Sequence, residues 1–115
     1  MTTYAAQGPG LAEQALTFHN AVNGDKFTND GYTMLIVRNA DDDTNTIVSV
    51  DDVGTPEPDE FTAFNPDVPI SAAFGTIVAA GPFPRGRFND PNGAVTLNFS
   101  STVGVSWAAV STKVI

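Results

Sequence analysis

Hydrophobic and polar residues alternate along much of this chain with a period of two rather than 3.6, the pattern of short strands that turn one face toward a core. The alternation is clearest near the end. Val95, Leu97 and Phe99 interleave with Ala94, Thr96 and Asn98. After a break at residues 100–102, Val103, Val105, Trp107 and Ala109 interleave with Gly104, Ser106, Ala108 and Val110. This spacing predicts two strands joined as a C-terminal hairpin. Tyr32-Thr-Met-Leu-Ile-Val-Arg38 is apolar at both parities through its middle, which predicts a central strand covered on both faces. Thr46-Ile-Val-Ser-Val50, beyond a polar, Asp-rich loop at residues 39–45, reads as its antiparallel return. A weaker alternation over residues 14–21 ends at Asn23-Gly24-Asp25 and predicts a first strand. Residues 70–80 predict one or two further strands, broken near Gly75.

Turn and loop signals separate these runs. Asn29-Asp30-Gly31 and Asn89-Asp-Pro-Asn-Gly93 read as turns. Residues 51–69 hold Pro56, Pro58, Pro66 and Pro69 among six acidic residues, a composition that excludes a helix or a central strand. A long exposed loop is expected there, with a short edge strand over residues 60–64. Residues 1–13 are rich in Gly, Ala, Thr and Pro and read as a flexible N-terminal arm. The helix-forming stretch over residues 11–16 is too short to be stable alone. The expected fold is therefore all-β: one small antiparallel β-sandwich or barrel-like domain over residues 14–115, preceded by the arm.

Composition narrows the function. The chain has no Cys, which removes disulfides, thiolate catalysis and thiolate metal ligands together. Thirteen acidic against five basic residues give a net charge of −8, which repels phosphate backbones, so no nucleic-acid partner is expected. No stretch has the length of apolar residues a membrane span requires, and the opening residues lack the basic and apolar regions of a secretory signal. A soluble protein with no membrane partner is expected. His19, the single histidine, defines neither a triad nor a metal site by itself. The acidic groups Asp41-Asp42-Asp43, Asp51-Asp52 and Glu57-x-Asp59-Glu60 do not follow calcium-loop spacing and read as solvated turn residues. No catalytic residues, cofactor or metal are implied, and binding or assembly is expected rather than enzymatic chemistry.

The segment Gly81-Pro-Phe-Pro-Arg-Gly-Arg-Phe88 is a Pro- and Gly-rigidified aromatic loop. Phe83 and Phe88 flank Arg85 and Arg87, and aromatic residues with Arg are the composition favoured at protein interfaces. These four are the candidate partner-contact residues. The alternative is a loop whose Phe side chains fold back to plug one end of the sandwich. Trp107 and Tyr32 offer flat faces to a sugar, the basis of a carbohydrate-binding alternative, although both lie within strand patterns.

Three stretches in order carry a resemblance. They are Phe27-Thr-Asn-Asp-Gly-Tyr-Thr-Met-Leu-Ile-Val-Arg-Asn39, then Gly81-Pro-Phe-Pro with Phe88-Asn-Asp90, then Gly93-Ala-Val-Thr-Leu-Asn-Phe-Ser-Ser-Thr-Val-Gly-Val-Ser-Trp-Ala-Ala-Val110. Together they resemble small structural proteins encoded among the head genes of tailed bacteriophages. The Asp-rich segment 41–60 and the Pro-rich stretch 56–69 depart from that pattern. The resemblance implies a virion component, foremost a capsid decoration or cement protein on the outside of the head. Its partner would be the major capsid protein or another virion protein, and it would act as a homo-oligomer. A neck or tail-associated component is the alternative within the same class.

Overall fold

In the computed structural model, which describes residues 2–7, 16–51 and 68–112, the period-two segments become strands. They are β1 (Thr3–Tyr4), β2 (His19–Asn20), β3 (Lys26–Thr28), β4 (Thr33–Asn39), β5 (Thr46–Val50), β6 (Val68–Ala72), β7 (Thr76–Ala80), β8 (Ala94–Phe99) and β9 (Val105–Ser111), with one helical turn, α1 (Arg85–Phe88). The strands form two sheets, ordered β1-β3-β8-β5-β6 and β2-β9-β4-β7. The all-β sandwich expected from alternation is the observed architecture.

The pairing is nested. β5 pairs with β6, β4 with β7, β3 with β8 and β2 with β9, all antiparallel. That is one long hairpin four strand-pairs deep. It is rolled up so that β9 also lies beside β4 and β8 beside β5. The result is an eight-stranded jelly roll, with β1 added in parallel at the edge beside β3.

Two expected hairpins are corrected by this topology. Thr46–Val50 does not return beside Thr33–Asn39, and Val105–Ser111 does not return beside Ala94–Phe99; the members of each pair lie in opposite sheets. The connections over residues 40–45 and 100–104 are long enough to cross the roughly 10 Å between packed sheets. Alternation records which face is buried, and a strand that crosses the sandwich buries the same parity as one that turns back beside its neighbour. The two crossings lie against each other: Ala40 N–H donates to the Gly104 carbonyl at 2.8 Å. A Cβ on Gly104, which has φ +69°, would meet Asp41 N at 2.8 Å.

Inward rows from both sheets make the core: Phe27, Leu35, Val37, Val48, Val50, Val95, Leu97, Phe99 and, at 0% exposure, Trp107. Each such fully buried large side chain contributes about 1.5–3 kcal/mol of transfer free energy. β4 is an interior strand, but its outward face is covered less fully than its inward one. Its outward residues Met34 and Ile36 are half-buried, and Arg38, whose guanidinium lies 4.7 Å from the Phe18 ring centroid, is exposed. The first strand is confined to His19–Asn20. Pro69 lies inside β6, which is an edge strand, where a missing N–H is tolerated.

The free arm is corrected for residues 2–7. Thr3 and Tyr4 pair in parallel with Lys26 and Phe27, and Gln7 bridges Val110. The Gln7 side chain donates to the Thr17 carbonyl and accepts from the Thr17 N–H, both at 2.8 Å. Tyr4 stacks on His19 at 3.7 Å and meets Trp107 edge-on at 5.3 Å. With β2 only two residues long, the flank of Trp107 needs this cover. The helix-forming stretch over residues 11–16 and the expected edge strand over residues 60–64 fall largely or wholly outside the described residues.

Candidate binding surface

The aromatic loop divides into two parts. Phe83 and Phe88 are 4% and 3% exposed and belong to the core. Their rings meet edge-on at 5.4 Å, and Phe83 lies 5.9 Å from Phe27. Gly81, at φ +110°, lets the chain turn directly over the Phe83 ring; a Cβ there would meet both that ring and the Thr33 carbonyl at 3.0 Å. Asn29 and Asn89 lock the loop from outside. Asn29 Nδ2 donates to the Phe83 carbonyl at 2.9 Å and to Asn89 Oδ1 at 2.7 Å, while Asn89 Nδ2 donates to the Asn29 carbonyl at 2.9 Å. As contact residues Phe83 and Phe88 are therefore corrected: they plug the end of the sandwich. Arg85 and Arg87 stay exposed on α1, with the Arg87 guanidinium 4.9 Å from the Phe88 ring centroid.

Of the polar groups that stood out in the sequence, His19 and the Asp41-Asp42-Asp43 group are occupied with structure, while Asp52 and Glu57-x-Asp59-Glu60 lie outside the described residues. His19 is held between Tyr4 and Trp107. The carboxylates of Asp41, Asp42 and Asp43 lie within 4.8 Å of one another. Within that group Asp41 accepts from Thr44 N–H at 2.9 Å and Asp43 from Thr44 Oγ1 at 2.9 Å. The bonding to Thr44 holds the Asp41 carboxyl below its ordinary pKa. At the opposite end Asp30 is drawn in two directions. Burial raises its pKa, but hydrogen bonds from Ser111, Tyr32 and Thr33 outweigh that and lower it. Trp107, fully buried, has no face to offer a sugar, while Tyr32 is exposed.

The distribution of exposed apolar side chains follows from the topology. β4 and β8 run toward one end of the sandwich, and there the connections β2–β3, β4–β5, β6–β7 and β8–β9 each cross between the sheets. Hydrogen bonds knit these crossings together. Gly75 N–H donates to the Asn39 carbonyl at 2.8 Å, Phe74 N–H to Asn45 Oδ1 at 3.0 Å, and Ala21 N–H to the Val105 carbonyl at 3.0 Å. Phe99 N–H reaches Asn23 Oδ1. Six large hydrophobics are exposed among the described residues. Val22, Phe74 and Val103 sit on three of the four crossings, with Val103 at 65% exposure. Ile47 and Ile77 lie at the adjoining strand ends, and only Tyr32 is at the far end. The fourth crossing carries Asp41–Asp43. A shallow groove between β5 and β6, lined by Thr46, Ile47, Ser71 and Ala72, opens on the same end.

None of these five residues was singled out by sequence reasoning. A signal was present: Val22-Asn23-Gly24, Phe74-Gly75 and Val103-Gly104 place a large apolar residue at a turn tip, where Asn, Asp, Ser or Pro is the usual choice. Comparison with protein-family models, curated proteins and solved structures returns no match to this chain.

Proposed function

We propose that this chain is a non-enzymatic virion component, a decoration protein that binds the outer surface of a tailed-phage head through the four-crossing end of its jelly roll. The observation that carries the reading is the gathering of Val22, Ile47, Phe74 and Val103 at that end. Grouped exposed apolar residues mark an interaction site, whereas scattered ones do not. The resemblance of residues 27–39, 81–90 and 93–110 to phage head-gene products supports the choice of partner, the major capsid protein. The jelly roll is shared by viral capsid domains and by lectins, and that likeness is one of fold only. A charge of −8 suits a protein outside the shell rather than one packed against DNA. Synthesis in the host cytoplasm, followed by docking on the assembled head, completes the reading. A repeated lattice multiplies weak contacts, so modest affinity per site is sufficient.

The test is re-binding of purified protein to particles that lack it. Wild type is expected to saturate at a fixed ratio to the major capsid protein. Phe74→Ser and Val103→Ser are each expected to weaken binding by about tenfold, the effect of losing one apolar anchor. Binding only at a single ring's worth of copies would move the protein to the neck or tail. Absence of binding, or indifference to both substitutions, would overturn the docking surface.

A further inference from the structure

Each sheet of the sandwich has two edges, and an edge strand left open recruits another strand unless it is blunted. Among the described residues three of the four edges are blunted. β1 and β2 are two residues long. β6 carries Pro69, whose ring and missing N–H obstruct pairing. β7 differs from all three: Thr76-Ile-Val-Ala-Ala80 is five residues long and has no Pro and no charge, and Ile77 is 63% exposed. It pairs with β4, and no described strand lies on its other side.

We propose that β7 pairs antiparallel with β7 of a second copy, joining two four-stranded sheets into one of eight across a two-fold axis. Charge selects the occupant. Two copies at −8 repel over most of their surfaces. Among the described residues, β4, β7 and β9 together hold one charged side chain, Arg38, so copies that meet along β7 bring no carboxylate of these strands face to face. A second copy also presents an open strand of the same length, as a two-fold contact requires. Pairing centred on Val78 sets Ile77 of each copy opposite Ala79 of the other on the outward face, large against small, and Val78 against Val78 on the inward face. Ile77 and Ala79 already share that outward face with Arg38 and Ile36 of β4, opposite which they pair. The inference does not depend on capsid binding, since Phe74 and Val103 lie off β7 and their substitution leaves the pairing intact.

Sedimentation equilibrium of the full chain tests it. Wild type is expected at twice the 12.0 kDa chain mass. Ile77→Lys and Ala79→Lys place an edge charge on an exposed position and are each expected to weaken association by about tenfold or more. Ser71→Lys on β6 is the control and leaves it unchanged. Circular dichroism and the fluorescence of Trp107 report folding of each variant. If a Lys variant does not fold, amide exchange of wild type decides: protection of β7 rises with protein concentration if the strand is paired. A monomer at about 100 µM, a mass of three or more subunits, folded Lys variants that still dimerise, or β7 protection that ignores concentration would each overturn the proposal.

Discussion

Asp25 shows how much of this fold hangs on single side chains. It is buried, and its carboxyl oxygens accept from Thr2 N–H at 3.1 Å, Val22 N–H at 3.1 Å and Trp107 Nε1 at 3.2 Å. The residue thus ties the N-terminal strand, the β2–β3 crossing and the central tryptophan to one point. Asp25→Ala leaves three donors without their partner and is expected to lower the unfolding free energy by about 3 kcal/mol. Asp25→Asn, with one accepting oxygen, is expected to fall between; urea denaturation followed by Trp107 fluorescence measures both. Lys26 Nζ and Asp90 Oδ2 form a 2.8 Å ion pair. The hydrogen bond from Lys26, helped by the Ala94 N–H, holds the Asp90 carboxyl below its ordinary value of 3.8. A carboxyl depressed in the folded state adds stability that is complete above about pH 4 and is lost as pH falls through the lowered value. Lys26→Met is therefore expected to move the Asp90 carbon resonance titration up toward 3.8 and to flatten the acid limb of the stability profile. Loop composition did not reveal the fates of Phe83 and Phe88. Aromatic residues beside Arg describe an interface and a plugged end equally well, and the deciding partners, Asn29 and Asn89, are distant in sequence.

At the level of elements, glycine conformation and close approach can be separated experimentally. Gly75 and Gly104 both have positive φ at crossings, but a Cβ on Gly75 meets nothing within 4 Å, whereas on Gly104 it meets the Asp41 backbone. Gly75→Ala is expected to cost about 1 kcal/mol, the conformational term alone, and Gly104→Ala about 2 kcal/mol or more. Thermal denaturation of the pair gives the difference. Individual strands were legible because burial parity is local: Val95, Leu97 and Phe99 face inward as their spacing predicts. Their partners were not legible. β8 lies between β3 and β5, and β9 between β2 and β4. Those neighbours are fixed by how the nested hairpin rolls, a long-range choice that turn residues at 40–45 and 100–102 do not encode. The division of residues 70–80 at Gly75 was legible because a positive-φ turn there, Gly75 at +74°, calls for glycine. The short inner reach of residues 2–7 was not, since Tyr4 and Gln7 act through contacts with His19, Thr17 and Val110 rather than through any periodic pattern.

For the whole molecule, the acidic charge and the apolar end act in different ways. Repulsion between copies at −8 opposes self-association, and salt shortens its reach from about 30 Å at 0.01 M to about 10 Å at 0.1 M. Dimerisation through β7 is accordingly expected to tighten as salt is raised over that range, which sedimentation at two ionic strengths measures; weakening with salt would indicate a contact made of charges instead. The apolar end carries Phe74 and Val103 on crossings braced by backbone hydrogen bonds, so it is a preformed surface with little ordering cost on binding. Such a surface suits a lattice that offers the same site many times. Quantitative mass spectrometry of purified virus particles from the source tests the proposed role as a decoration protein of a phage head. A copy number that matches the shell lattice, in fixed ratio to the major capsid protein, is expected. Absence of the chain from the particles would contradict it.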